Sequence, residues 1–174
     1  MNRFVTNLDP VIAAQDQCDK HLRKMIIEEA QMLSTALHLT HPHMVVSDLY
    51  REVHQSHPCT VWVCESASNW LWAWKHFNGL CDEYVYRFDK THGTANKLRG
   101  VFNDIKNRTD FMTSWDNVKY TTHPQCFGAW PHKTQEIWPV NAYRAYIRDY
   151  KPTVMKEMKW TRRQPPTWFT RRPS

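Results

Sequence analysis

Along the stretch from Cys18 to Thr35, His21, Lys24, Glu28, Gln31 and Thr35 recur at steps of three and four. At about 100° per residue they fall in one helical arc roughly 80° wide. The adjoining arc holds Cys18, Leu22, Met25, Ile26, Ala30, Met32, Leu33, Ala36 and Leu37. One face packs, and the next aligns an imidazole, an amine and a carboxylate. His21 and Glu28 stand about 10 Å apart along such a helix, so a substrate group fits between or beside them. A carboxylate in that position can stabilise an oxocarbenium-like sugar, activate water or an amine, and carry a proton. His21 would orient a phosphate or sugar. Glu28 has a second reading, a buried salt bridge with His21 or Lys24, and both stay open at this point.

A second set of reactive types lies toward the other end. Between Lys156 and Arg172 the chain interleaves Arg162, Arg163, Arg171 and Arg172 with Trp160, Trp168 and Phe169. Cations of this kind meet phosphates and rings of this kind stack on bases. The same strip also reads as a tail whose aromatics pin it to the body while its arginines stay solvated. Arg3, Lys20 and Lys24 add positive charge near the sequence of Glu28, and Trp70 or Trp72 could replace the stacking lost by an extruded base.

Composition agrees with an anionic partner. Lys and Arg number 23 against 17 Asp and Glu, a net charge of +6 with a pI near 9.1, and nucleic acid is the leading candidate. Nine tryptophans are more than packing alone asks for, because a buried indole N–H needs an acceptor. Apolar runs are too short for a membrane span or a signal-peptide core, so the expectation is a soluble, cytoplasmic chain with no membrane partner. The five cysteines, Cys18, Cys59, Cys64, Cys81 and Cys126, form no CxxC pair and read as reduced, mostly buried thiols. His41, His43, His54, His57 and His123 make no recognisable ligand set, and neither a metal nor a cofactor is expected.

The elements that must position these residues read as helices. Asp9-Pro10 caps and opens a first helix, and Cys18 to about Leu39 forms the long one carrying His21 and Glu28. Ser47-Asp48 caps a short helix through about Gln55, and His57-Pro58 opens another ending near Glu65 or Ser66. Trp70, Trp74, Phe77, Cys81, Tyr84 and Phe88 mark the buried stripe of a second long helix, followed by one from Thr94 to about Phe102. From about 103 to 139 neither periodicity holds, and the isolated aromatics suggest a binding loop. Helix returns from Val140 to Tyr150, limited by Pro152. The expectation is an all-α fold in a single domain spanning 1–174. Its helical body covers about 9–105, and an irregular aromatic-rich loop and a basic C-terminal tail follow.

The run Cys18-Asp19-Lys20-His21, with Glu28 seven residues beyond the histidine, resembles the first helix of the pyrimidine-dimer DNA glycosylases, the endonuclease V of T-even phages and its bacterial relatives. The whole chain is similar to a set of tailed-phage proteins. These share Asp9-Pro10, Cys18-Asp19-Lys20-His21, His57-Pro58 with Trp62, and Glu83-Tyr84 in this order, and they carry no activity over. The glycosylase resemblance covers roughly the first forty residues and implies an all-helical fold, a catalytic role for Glu28 and DNA as partner. In that family the N-terminal α-amine, freed by removal of Met, attacks the sugar C1′ and forms an imine. Here Asn2 is larger than methionine removal usually accepts, so the amine would sit on Met1, displaced by one residue.

The expected function is cleavage at the N-glycosidic bond of a damaged or modified nucleotide in DNA, with lyase activity open. Glu28, His21 and Met1 would be catalytic, and Arg3, Lys20, Lys24, Trp160, Arg162, Arg163, Trp168 and Arg171 would bind nucleic acid. The alternatives are a non-catalytic phage nucleic-acid-binding protein and a glycosidase acting on free nucleotides.

Overall fold

The computed structural model describes residues 2–128 and 138–170. Asp9 accepts from the N–H groups of Val11 and Ile12 and Pro10 stands at the first helical position, so α1 runs Pro10–Gln15. α2 spans Asp19–Thr40 and is followed by a 3₁₀ turn at Pro42–Met44. The N–H of Asp19 at the head of α2 donates to the carbonyl of Lys159, so the tail caps this helix. α3 (Pro58–Cys64) is capped by the His57 imidazole and α4 (Ala67–Phe88) by the Ser66 hydroxyl. α5 spans Gly93–Lys106. α6 (Pro139–Ala145) continues through a π turn at Tyr146–Tyr150 into α7 (Lys151–Val154), and α8 is Thr167–Thr170. Among the described residues there is no strand, and the all-α expectation holds.

The core lies between α2 and α4, with α3 and α5 packed on α2 and α1 laid across α4. At that crossing a Cβ on Gly79 would come within 3.2 Å of Ala14 Cβ and of Val11 Cα. Glycine is what lets α1 approach so closely. The Trp70 indole N–H reaches the carbonyl of Leu33 at 3.4 Å and ties α4 to α2. Ahead of α1 the chain is irregular and buried from Arg3 to Thr6, with a tight turn in which Thr6 N donates to the Phe4 carbonyl at 3.1 Å. Gln17 holds the Phe4 carbonyl at 3.1 Å, Arg144 the Thr6 carbonyl at 2.7 Å, and Trp72 the Leu8 carbonyl at 2.7 Å. Side chains thus supply the donors that an irregular segment inside a helical core lacks.

Three features differ from expectation. The segment 47–55 is irregular, because its backbone bonds to α2 side chains instead of to itself. Tyr50 N donates to Ser34 Oγ, Val53 N donates to Thr35 Oγ1, and Thr35 Oγ1 in turn donates to the Val53 carbonyl. Pro152 does not end its helix: Lys151 N donates to the carbonyl of Tyr146 in a widened turn, and the helix then continues past the missing donor. The expected loop from 103 begins only after Lys106, and residues 129–137 of it lie outside the described residues.

Candidate active site

The N-terminal segment lies against the polar arc of α2. There the Asn2 backbone N–H donates to Glu28 Oε2 at 2.6 Å, and Lys24 Nζ lies 3.1 Å from Oε1 one helical turn away. The Glu28 side chain is 8 % exposed and that of Lys24 68 %. The carboxylate is therefore enclosed while its cationic neighbour reaches water. Part of the salt-bridge reading is thus present, with Lys24 as the partner. Because the Lys24 ammonium reaches water, it can also meet a phosphate that approaches the enclosed carboxylate.

His21 is buried against Phe4, the ring centroids 4.4 Å apart. Neither ring nitrogen has a hydrogen-bond partner among the described residues. Burial first, and then the charges of Lys151 and Lys24, push its pKa down to about 3. The imidazole stays neutral at ordinary pH. It can offer one donor and one acceptor to a ligand, but not the positive charge that orienting a phosphate would use.

Lys151, at the head of α7, completes the group and was not singled out from the sequence. It is half-buried, with Nζ 5.3 Å from the ring centroids of both Phe4 and Tyr146. Burial and then Lys24 lower its pKa, against a raising influence of Cys18 and Glu28. Desolvation beside a second cation is what makes a lysine amine nucleophilic. Only the return of the C-terminal helix onto α2 brings it here, so no local spacing announces it.

Other expected residues stand elsewhere. Arg3 is enclosed, not displayed to a phosphate: its Nε lies 2.9 Å and 3.0 Å from the two oxygens of Glu29, and its Cζ lies 4.9 Å from the Trp62 ring centroid. A guanidinium in the core needs such a partner, because an unpaired buried charge is far costlier. Trp70 and Trp72 are buried in the helical body, not set at a surface where a base could stack. Lys20 and Lys24 are exposed on α2. Met1 and Arg171 lie outside the described residues.

The aromatic basic tail is docked. Trp160 is buried and donates to the Asp16 carbonyl at 2.9 Å, and Trp168 donates to the Asp16 carboxylate at 3.1 Å. Arg163 grips both oxygens of buried Glu83 at 2.6 Å and 2.7 Å, and Arg162 pairs with Asp89. Glu83 also holds Arg87 at 2.7 Å, and Arg87 in turn reaches Asp19 at 3.0 Å. Asp19 accepts from both the amide and the hydroxyl of Thr161. The Asp19 and Glu83 signatures thus serve to bind the tail to the body. Of the two readings of the tail, its rings follow the pinning one, while Arg163 is neutralised instead of solvated.

The thiols are free, with Cys18, Cys59 and Cys81 buried and Cys64 and Cys126 partly so. Two of them, Cys59 and Cys126, meet beside His57, an arrangement that no spacing in the sequence displays. Compared with protein-family models, with curated proteins and with solved structures, the chain finds no match in any of the three.

Proposed function

We propose that the protein is a DNA N-glycosylase-like enzyme with Glu28 as its central carboxylate. The observation that carries this reading is the 2.6 Å hydrogen bond from Asn2 N to Glu28 Oε2, on the α2 face that also carries His21 and Lys24, with Lys151 close by. With Met1 as the first residue, its α-amine is one peptide unit from the Asn2 N–H that meets this carboxylate. An α-amine titrates near neutrality and needs little activation. Lys151 is the side-chain alternative for the same role.

In the reaction, the neutral amine would attack the sugar C1′ as the bond to the base breaks. The bonding electrons leave with the base, which takes up a proton. Glu28 would stabilise the positive charge that develops on the sugar and accept the proton released by the attacking nitrogen. Opening of the sugar ring, with C1′ and nitrogen forming an imine and the ring oxygen taking a proton, prepares strand cleavage. Lys24 and Lys20 would meet backbone phosphates at the exposed edge of α2. His21 would give a hydrogen bond as a neutral imidazole.

The test uses end-labelled duplexes carrying a cyclobutane dimer, an abasic site or normal bases, with and without borohydride, alongside Glu28→Gln. Borohydride reduces an imine to a stable bond, so a trapped complex that maps to the first residue or to Lys151, and is lost in Glu28→Gln, is the expected result. Cleavage without trapping, still lost in Glu28→Gln, would mean that water is the nucleophile. Salt-sensitive DNA binding with no cleavage would overturn the enzyme in favour of a non-catalytic nucleic-acid-binding protein. Release of a base from free nucleotides alone would move the same chemistry to the nucleotide pool.

A further inference from the structure

The Cys59 and Cys126 sulfurs lie 3.4 Å apart, one in the first turn of α3 and the other on the irregular segment that follows α5. The His57 imidazole completes the cluster, with one ligand atom from each residue inside 4.8 Å of the others. The His57 Nδ1 accepts from the Cys59 N–H at 3.2 Å, which fixes the ring beside the two sulfurs. We propose that His57, Cys59 and Cys126 form a binding site for a thiophilic divalent cation, Zn²⁺ foremost, with a fourth position left for water or a ligand.

Two thiolates on one tetrahedral zinc stand about 3.8 Å apart, given Zn–S bonds of about 2.3 Å. The observed separation is a few tenths of an ångström short of that. A disulfide needs the sulfurs at about 2.05 Å, a much larger displacement. Neutral imidazole and thiolate suit zinc, and two thiolates balance its charge.

The surroundings hold the cysteine on the irregular segment in place. The Cys126 N–H donates to the Tyr143 hydroxyl at 3.1 Å, and its carbonyl accepts from Asn2 Nδ2 at 2.9 Å. The Tyr143 hydroxyl donates to the Pro124 carbonyl at 3.1 Å. Supports of this kind orient metal ligands and tune them. Three protein ligands and an open position is the arrangement of sites where a metal acts on a bound water or substrate. Because Asn2 bridges Cys126 and Glu28, loading the site would also order the residue that contacts the carboxylate.

Protein purified under reducing conditions and stripped with chelator would be titrated with Co²⁺ and then Zn²⁺. The expected result is one equivalent of Co²⁺ with thiolate charge-transfer bands and the intense visible bands of a tetrahedral ion, displaced by Zn²⁺. Cys126→Ser and His57→Asn should each weaken binding by at least tenfold. Asn still caps α3, and circular dichroism would confirm retained helix. Cys64→Ser, outside the cluster, should bind like the unmodified chain. Absence of stoichiometric binding, or binding unchanged in Cys126→Ser and His57→Asn, would overturn the site. Formation of a Cys59–Cys126 disulfide with glutathione disulfide in a chain that takes up no metal would overturn it too, in favour of a redox pair.

Discussion

Arg3 and Glu29 form an ion pair with side chains 0 % and 1 % exposed, and this pair sets the register of the N-terminal segment on α2. With Arg3 fixed on Glu29, the preceding residue, Asn2, falls opposite Glu28 and donates to it. His76 Nδ1 lies 3.7 Å from the same Glu29 oxygen, and Trp62 and Trp72 flank the guanidinium. One structural pair therefore positions the candidate catalytic one.

Breaking that pair should cost both stability and function. Glu29→Gln leaves a buried, uncompensated guanidinium and should destabilise the fold by roughly 3–5 kcal/mol. Arg3→Met combined with Glu29→Leu should recover most of that loss in urea unfolding. Activity in the double variant should stay low, because Asn2 is no longer held in register. Full activity in the double variant would separate the pair from the site.

Acid should unfold the protein through its buried histidines. His21 is held down to about 3 by burial and nearby lysines, and His123 to about 2 by burial, Arg3 and His76. In the unfolded chain both protonate near pH 6.5. The unfolded state thus takes up protons first as pH falls, and stability is greatest above pH 6.5 and declines progressively toward pH 3. Each histidine contributes on the order of a few kcal/mol to that decline. His21→Leu should flatten the dependence of Tm on pH between those limits, and an unchanged slope would refute the assignment.

The tail should come away as a unit when its anchor is removed. Trp160→Ala deletes a ring that packs at 4.8 Å on Phe169 and donates to Asp16. Residues 156–170 should then become sensitive to protease and lose amide protection, while α4 and α5 stay protected. Cutting throughout the chain at the same protease dose would mean that the tail is part of the global folding unit.

DNA affinity should depend on α2 more than on the docked tail. Lys20→Ala and Lys24→Ala should each lower the salt slope of binding by about 0.9 if each meets one phosphate. Arg163→Ala should leave the slope unchanged, because its guanidinium is already matched by Glu83. The reverse ranking, measured by fluorescence anisotropy over a salt series, would assign binding to the tail.

Much of the helical architecture was readable locally. The 3.6-residue apolar period of α2 and α4, and the Asp9-Pro10 start of α1, depend on neighbours in sequence, and these elements form where periodicity places them. The helix expected over 48–55 fails because Ser34 and Thr35 of α2 capture its backbone, a competition invisible within the segment itself. Spacing alone also aligned His21, Lys24 and Glu28, since helical geometry converts those intervals into one face.

The environment of that face was decided by tertiary structure. Burial makes His21 neutral, packing brings Lys151 from the far end of the chain, and Glu29 draws Arg3 inward. The meeting of His57, Cys59 and Cys126 likewise depends on where the segment after α5 returns to α3. Residue types and local periods determine which groups can share a helix face. Charge state, partner and solvent access depend on long-range contacts, because desolvation and Coulomb energy are set by everything that packs around a group, whatever its distance in sequence.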